Sequence, residues 1–319
     1  MQLPSFARDY VYPLQISTPF AVGDVFSYLL LDEKIVLIDC GHYAGDSREQ
    51  LKSHLREHGL TVNDLDEIWL THGHPDHFGQ AAWLADKSGA EVFGHPKERV
   101  NFAGNSDREL FRDFFYAHAL PPSLVDQMLD QLEWLQQYQL PIEPQWVRDD
   151  EQLTSGRLSV RVRLTAGHAP GHIVFDSGEG LLFGGDLLLK QISTNALINF
   201  DPDSGERNKS LLQYRQSLKW MAKQQGMVLP GHGKGIRNIV EVTQHHLREH
   251  EQRYRGIQQL LEQHPKSLME LSRHLFADAI EQGALFLVLS EILGYLDWGE
   301  REGTIRQVNT SGGILYEKI

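Results

Sequence analysis

The chain is poor in cysteine, in positive charge and in long apolar runs, and each shortage removes a class of protein. Cys40 is the only cysteine among 319 residues, so no internal disulfide framework can form and a reducing compartment is favoured. Lysine and arginine number 30 against 43 aspartate and glutamate, a formal charge of −13. A polyanion is repelled by such a surface on average, which argues against general nucleic-acid binding. No apolar stretch reaches the roughly 20 residues of a membrane-spanning helix. The opening segment from Met1 to Tyr10 has no basic region followed by an apolar core, so a cytoplasmic protein with no membrane partner is expected. The hydrophobic share of 41% is enough for a large core plus a second module.

Histidine, by contrast, is plentiful and clustered. Leu70-Thr71-His72-Gly73-His74-Pro75-Asp76-His77 sets three imidazoles and a carboxylate within six positions, directly after an apolar run that reads as a strand. Neutral imidazole and carboxylate are preferred ligands of zinc and related divalent ions, and a strand end gives way to a loop in which side chains converge. Further ligand-type residues follow short apolar runs: His168 after the run at 158–164, Asp186 after that at 181–185, and His232 after that at 227–231. Glycine or proline flanks each of them, as close passage of the backbone past a crowded site requires.

These residues carry a resemblance. The pattern His-x-His-x-Asp-His, then His, Asp and His, is similar to that of the metallo-β-lactamase-fold hydrolase superfamily, over about the first 235 residues. It is matched here by His72, His74, Asp76, His77, His168, Asp186 and His232, with Asp39 at the preceding strand end. The resemblance implies an α/β fold, a four-layer αββα sandwich with two metals at one edge. One metal would be held by His72, His74 and His168, the other by Asp76, His77 and His232, with Asp186 bridging. Two such ions share a water, lower its pKa towards about 7 and aim it as hydroxide at a polarised carbonyl or phosphoryl group. By the same resemblance Asp76 orients that hydroxide and is the catalytic carboxylate. Zinc is the expected metal, with manganese or iron as alternatives.

Other residues receive lesser roles. Asp39 reads as an acceptor for a histidine N–H rather than a ligand, and His172 as pocket-lining or supporting, since the family's ligand in Gly167-His168-Ala169-Pro170-Gly171-His172 is the first histidine. His42 reads as a solvated loop residue, and Cys40 as a small buried strand-end residue. Residues 106–138 read as a helical insertion of two helices parted by Pro121-Pro122, with Ser123 as a cap. Phe115, Tyr116 and His118 are its candidates for a substrate wall, and an apolar roof suits an acyl or aromatic substrate.

From residue 236 to 319 the pattern changes. A charged helix over about 238–263, interrupted near Gly256, is followed by a helix capped at Ser267 and a third through 285–296. Strands at 304–308 and 313–317 then form a hairpin. Helix, helix, helix and hairpin is a winged-helix-like order, and the whole arrangement, which also resembles glyoxalase II-like hydrolases, is similar to a superfamily subgroup that includes bacterial proteins of unassigned substrate and a mitochondrial β-lactamase-like endoribonuclease. Acidic residues outnumber basic ones in this tail too, so packing on residues 1–235, shaping the cleft or forming a homodimer is expected ahead of nucleic-acid binding. The reading that follows is a metal-dependent hydrolase of a small-molecule ester, thioester or lactone. The alternatives are a phosphodiesterase or endoribonuclease with the same dinuclear site, and an iron-dependent persulfide dioxygenase or redox enzyme.

Overall fold

Residues 3–105, 107–192 and 194–319 are described in a computed structural model. Met1 and Gln2 of the opening segment and Ser106 of the expected insertion lie outside them. Among the described residues, no helix is long and apolar enough to cross a membrane.

Two sheets form the centre. The first carries β1 (Val11–Ile16), β2 (Val25–Leu31), β3 (Ile35–Ile38), β4 (Glu67–Trp69), β5 (Glu91–Gly94) and β6 (Gln145–Trp146), side by side in that order. The second carries β7 (Gln152–Thr154), β8 (Ser159–Leu164), β9 (Ile173–Asp176), β10 (Leu181–Gly185) and β11 (Met227–Pro230), again in sequential order. Because side chains alternate between the two faces of a strand, each strand feeds two cores at once. Tyr28, Leu30, Val36, Ile38 and Trp69 from the first sheet meet Phe175, Phe183 and Leu229 from the second in the inter-sheet core. Their neighbours point the other way, Leu29, Leu37 and Ile68 to an outer core with Leu51, Leu55 and Leu84. Val174, Leu182 and Val228 point to the opposite outer core.

The first outer layer holds α1 (Ser47–Glu57), α2 (Pro75–Phe78), α3 (Ala81–Ser88) and α4 (Arg99–Phe102). The second is larger. It combines the insertion helices α5 (Arg108–Ala117) and α6 (Pro122–Trp134), then α7 (Ser210–Met221), with the tail helices α8 (Ile239–Leu260), α9 (Leu268–Glu281) and α10 (Leu285–Glu302) in one continuous apolar cluster. A third sheet, in the order β12 (Lys266–Ser267), β14 (Gly313–Lys318), β13 (Ile305–Thr310), closes the tail.

Several expectations are corrected in detail. Ser123 does not cap α6, which starts instead on Pro121 and Pro122, where the fixed φ of proline suits the first turn. Gly256 does not interrupt α8, which runs unbroken through it. Ser267 does cap α9, with a reciprocal capping box to Glu270, and also pairs in β12, a strand too short to register as a sequence pattern. The tail is pinned to the sandwich by the buried Asp297, which accepts from Arg207 at 2.6 and 2.8 Å and from Lys209 at 2.6 Å.

Candidate metal centre

Each candidate ligand lies at or just beyond a strand end on one edge of the sandwich. His72, His74, Asp76 and His77 follow β4, His168 lies between β8 and β9, Asp186 follows β10, and His232 follows β11. Three groups of donor atoms converge, each within 4.8 Å: His72, His74 and His168; His72, His77 and Asp186; Asp76, His77 and His232. Neighbouring donors are spaced as a shared ion requires. His72 Nε2 is 3.0 Å from His74 Nδ1, His232 Nε2 is 3.2 Å from Asp76 Oδ2, and His77 Nε2 is 3.4 Å from Asp186 Oδ1. Two ligands about 2.05 Å from a tetrahedral zinc lie about 3.3 Å apart. Asp186 spans both halves: Oδ1 faces His77, while Oδ2 lies 3.7 Å from His168 Nε2 and 3.6 Å from His232 Nε2.

The far side of each ring explains the aim of the near side. His77 Nδ1 donates to Asp39 Oδ2 at 2.8 Å, His168 Nδ1 to the Asn195 carbonyl at 3.0 Å, and His232 Nδ1 to the Asp24 carbonyl at 2.8 Å. Thr71 Oγ1 donates to Asp39 and so accepts from His72 Nδ1 at 3.0 Å. With Nδ1 so engaged, Nε2 is the nitrogen left to face the centre. Among the described residues, His77 Nε2, His168 Nε2, His232 Nε2 and Asp186 Oδ1 are all buried without a hydrogen-bond partner. Orphaned buried polar atoms are costly, and four of them aimed at one point fit a pair of divalent cations.

Charge is arranged to the same end. Burial, with His77 and His74 adding, holds His72 well below its ordinary pKa, and burial with His168 pushes His74 down to about 3. Burial lowers His168 as well, so all three imidazoles of the first group favour the neutral form that donates a lone pair. Burial opposes a charge on His77 too, but Asp186, Asp39 and Asp76 outweigh it and raise its pKa well above the usual value. Asp186 is held well below the usual carboxylate range by His232 and His77 against the effect of burial.

Backbone conformation supports the crowding. Asp39 sits at φ 52°, a left-handed conformation that aspartate tolerates better than most residues. From there its carboxylate accepts from the Thr71 N–H at 2.8 Å as well as from Thr71 Oγ1 and His77. At Gly231 a Cβ would lie 2.4 Å from Asp186 Oδ1 and 2.5 Å from His77, so only glycine lets the chain pass there.

His172 is buried against the centre but turned away from it: Thr165 Oγ1 lies 2.8 Å from its Nδ1, and its Nε2 accepts the Asp186 N–H at 3.0 Å. With both nitrogens engaged, it orients the loop of Asp186. His42 is not solvated. It is buried, with Nε2 bonded to the Ser17 carbonyl at 3.1 Å and its ring packed edge-on to Tyr138. Cys40 is buried, with Sγ 3.3 Å from the His77 carbonyl.

Sequence reasoning missed Glu98. This buried carboxylate, raised in pKa by burial, accepts from the Gly73 N–H at 3.0 Å, the Gly171 N–H at 2.5 Å and Asn101 Nδ2 at 2.7 Å. It bolts the loop of His72 and His74 to the loop of His168 and His172. A Cβ at Gly73 would fall 2.7 Å from Glu98 Oε2, which explains the glycine between the two histidines. An isolated glutamate in Pro96-Lys97-Glu98-Arg99 carries no signal of that role.

A cleft of about 190 Å³ opens on His74 and His168. Its apolar wall is built by Phe111, Leu129 and Leu132 of the insertion, Leu197 and Ile198 of the loop before α7, and Phe286 of α10. Helices α5 and α6 therefore wall the cleft, through residues other than the three expected. Phe115 is wholly buried in the outer core, Tyr116 points to solvent, and His118 bonds the Phe114 carbonyl and Tyr316 Oη, joining the insertion to the terminal hairpin. Phe111 and Phe115 lie four residues apart on α5, on nearly the same side of the helix, so helical spacing alone does not separate the cleft-facing ring from the buried one.

Comparison with known proteins agrees with this architecture. The probable metallo-hydrolase YqjP of Bacillus subtilis (strain 168) is 28% identical over 315 residues, 97% of each chain. A metallo-beta-lactamase family protein of Thermus thermophilus superposes with a TM-score of 0.84 at 27% identity, covering 98% of this chain and 99% of that one. A beta-lactamase domain protein of Burkholderia ambifaria superposes at 0.82 with 24% identity, over 97% of this chain and 92% of its own, and shows the fold alone. The family model for the metallo-beta-lactamase superfamily matches residues 21–232, the span that holds every converging donor, and the chain belongs to that superfamily.

Proposed function

We propose that this protein hydrolyses a small ester, thioester or lactone with two divalent ions, zinc in the first instance. His72, His74 and His168 would hold one ion, Asp76, His77 and His232 the other, and Asp186 both. The metal-dependent hydrolase reading is supported by the superfamily and by the name of the Bacillus subtilis relative, a probable metallo-hydrolase. When bound, two such ions activate a water near neutral pH and stabilise charge that develops on a carbonyl and its leaving group. The protein's own residues do the rest. Asp76 is placed beside His232 to orient the attacking water, Asp39 and Thr71 fix the rings, and His172 holds the Asp186 loop.

The observation that carries the carbonyl substrate is the apolar cleft opening directly on His74 and His168. Its apolar wall stabilises an acyl or aryl group, and the arginine in its lining, Arg108, is already paired with Asp130 and Glu133. The phosphodiesterase or endoribonuclease reading draws on the tail, which we read as a winged-helix-like module over residues 236–319 packed on a catalytic domain of residues 1–235. The third helix of such a module, α10, would serve as the recognition element, yet it is buried along most of its length. Packing and cleft shaping suit it better than a polyanion.

The test is hydrolysis by metal-assayed protein of acyl thioesters, lactones, simple phosphodiesters and single-stranded RNA, each against His74→Ala. Metal-dependent turnover of carbonyl substrates alone is expected. Turnover of RNA or phosphodiesters alone refutes the proposal, and an iron-only preparation that oxidises thiols without hydrolysing esters replaces it with the redox reading.

A further inference from the structure

Three lines of contact run from the tail to the metal centre. Phe286, in the first turn of α10, forms part of the cleft wall and meets Phe111 of the insertion edge to face, with ring centroids 5.5 Å apart. One turn along the same helix, Ser290 Oγ accepts the Ile198 N–H at 3.1 Å, and Ile198 also faces the cleft. The segment that Ser290 holds begins at Asn195, whose carbonyl accepts from Nδ1 of His168. Its far end is fixed by Arg207 and Lys209 on Asp297 of α10. The loop that aims one of the histidines is thus held from both ends by the last long helix of the chain.

We propose that the tail is a working part of the active site, with Phe286 as the residue that sets which acyl groups the cleft accepts and Ser290 as a positioning residue for the loop of His168. The proposal rests on the carbonyl-hydrolase reading for the word acyl, but the contacts do not. Phe286 shares with Leu129 and Leu132 the apolar wall of a cleft of about 190 Å³, and an aromatic ring in a space that small limits the length of an unbranched chain. Removing the ring opens room for several methylenes, each of which discriminates by about tenfold or more when it is newly buried or newly excluded. The ligand class is a short or medium apolar acyl group, with its carbonyl at the histidine end and its chain towards α10.

Two measurements test this on the full-length protein. The first is kcat/KM for a series of acyl thioesters from two to ten carbons, in the parent, Phe286→Ala and Leu287→Ala. Leu287 is the exposed neighbour on the same helix, 41% accessible and outside the cleft, so its variant controls for damage to α10. The expected result is a shift of the optimum to longer chains in Phe286→Ala, with the long-to-short ratio rising at least tenfold and Leu287→Ala keeping the parent profile. The second is equilibrium binding of the matching free carboxylates to the same proteins, which needs no turnover. The same shift in preferred length is expected there. An unchanged length preference in both series, or an equal change in both variants, overturns the proposal. Absence of thioester turnover together with a length shift in carboxylate binding refutes the hydrolase reading while upholding the role of Phe286. For Ser290, Ser290→Ala should weaken metal retention with little change in chain-length preference; a length shift without a change in metal retention refutes its positioning role.

Discussion

Glu98 offers the sharpest quantitative test, because its partners are few and all are buried or half-buried. Glu98→Ala removes the acceptor of two buried backbone N–H groups, those of Gly73 and Gly171. A buried donor left unsatisfied costs about 1–3 kcal/mol, so the pair predicts a loss of about 2–6 kcal/mol. Glu98→Gln keeps one carbonyl oxygen and should recover roughly half of that. In melting temperature the alanine change corresponds to roughly 4–12 °C for a chain of this size. The assay is unfolding of chelator-treated protein by heat and by urea, in parent and both variants, so that lost metal does not confuse the comparison. A metal titration then measures the second effect. Because Glu98 holds the loops of His72, His74 and His168 in register, affinity at that three-histidine group should fall about 10–100-fold, the usual range for removing a group that orients ligands. Parent-like melting and parent-like affinity in Glu98→Ala would falsify the view that the two loops are locked through this carboxylate.

Three further predictions follow from the same geometry. His74→Ala should lose metal and turnover together, whereas Asp76→Asn should retain at least one ion while losing most turnover; metal analysis beside kinetics separates them, and normal turnover in Asp76→Asn removes its assigned role. Deleting the chain after Gly235 should leave all seven donors in place yet strip the second outer core, giving an aggregating protein; a soluble truncation with full activity on small substrates would show the tail to be only a docking module. His250, between Tyr214 and Tyr295, has its pKa pushed down to about 3, chiefly by burial and then by Arg215 and Arg253. An unfolded histidine takes its proton near pH 6.5, so between about 6.5 and 3 the unfolded chain binds more protons and stability falls on acidification, by up to roughly 1.4 kcal/mol per pH unit. His250→Phe should flatten the decline of melting temperature over that window, and an identical slope counts against the assignment.

Much of this centre was legible in the chain because metal ligation imposes residue types at fixed places after strands. His72, His74, Asp76, His77, His168, Asp186 and His232, the set the resemblance pointed to, converge in space, and Asp39 and His172 bond to His77 and to the Asp186 N–H. The short apolar run Leu181-Leu182-Phe183 is a strand as read, and its continuous apolarity reflects burial on both faces, in two cores. What stayed hidden depends on contacts between distant segments. Glu98 acts through backbone amides, which leave no mark on sequence. On α5, Phe111 lines the cleft while Phe115, one turn on, is buried, a difference that periodicity cannot resolve; Phe286 reaches the same cleft from α10, far along the chain. His42 lies in a loop that two aromatic rings happen to cover, and burial of loops is set by packing that no local pattern records.

The joint outer core has a consequence for how the molecule is made. Synthesis runs from the N-terminus, so both sheets and all seven donors leave the ribosome before α8, α9 and α10 exist. Until then the outer faces of β9, β10 and β11, carrying Val174, Leu182 and Val228, have only α5, α6 and α7 to cover them. At typical elongation rates of about 5–20 residues per second, the remaining 84 residues after Gly235 leave that surface partly bare for several seconds. Chaperone engagement and proteolytic loss should therefore concentrate on nascent chains stalled within the tail, and the metal centre should mature only after the last helix has docked.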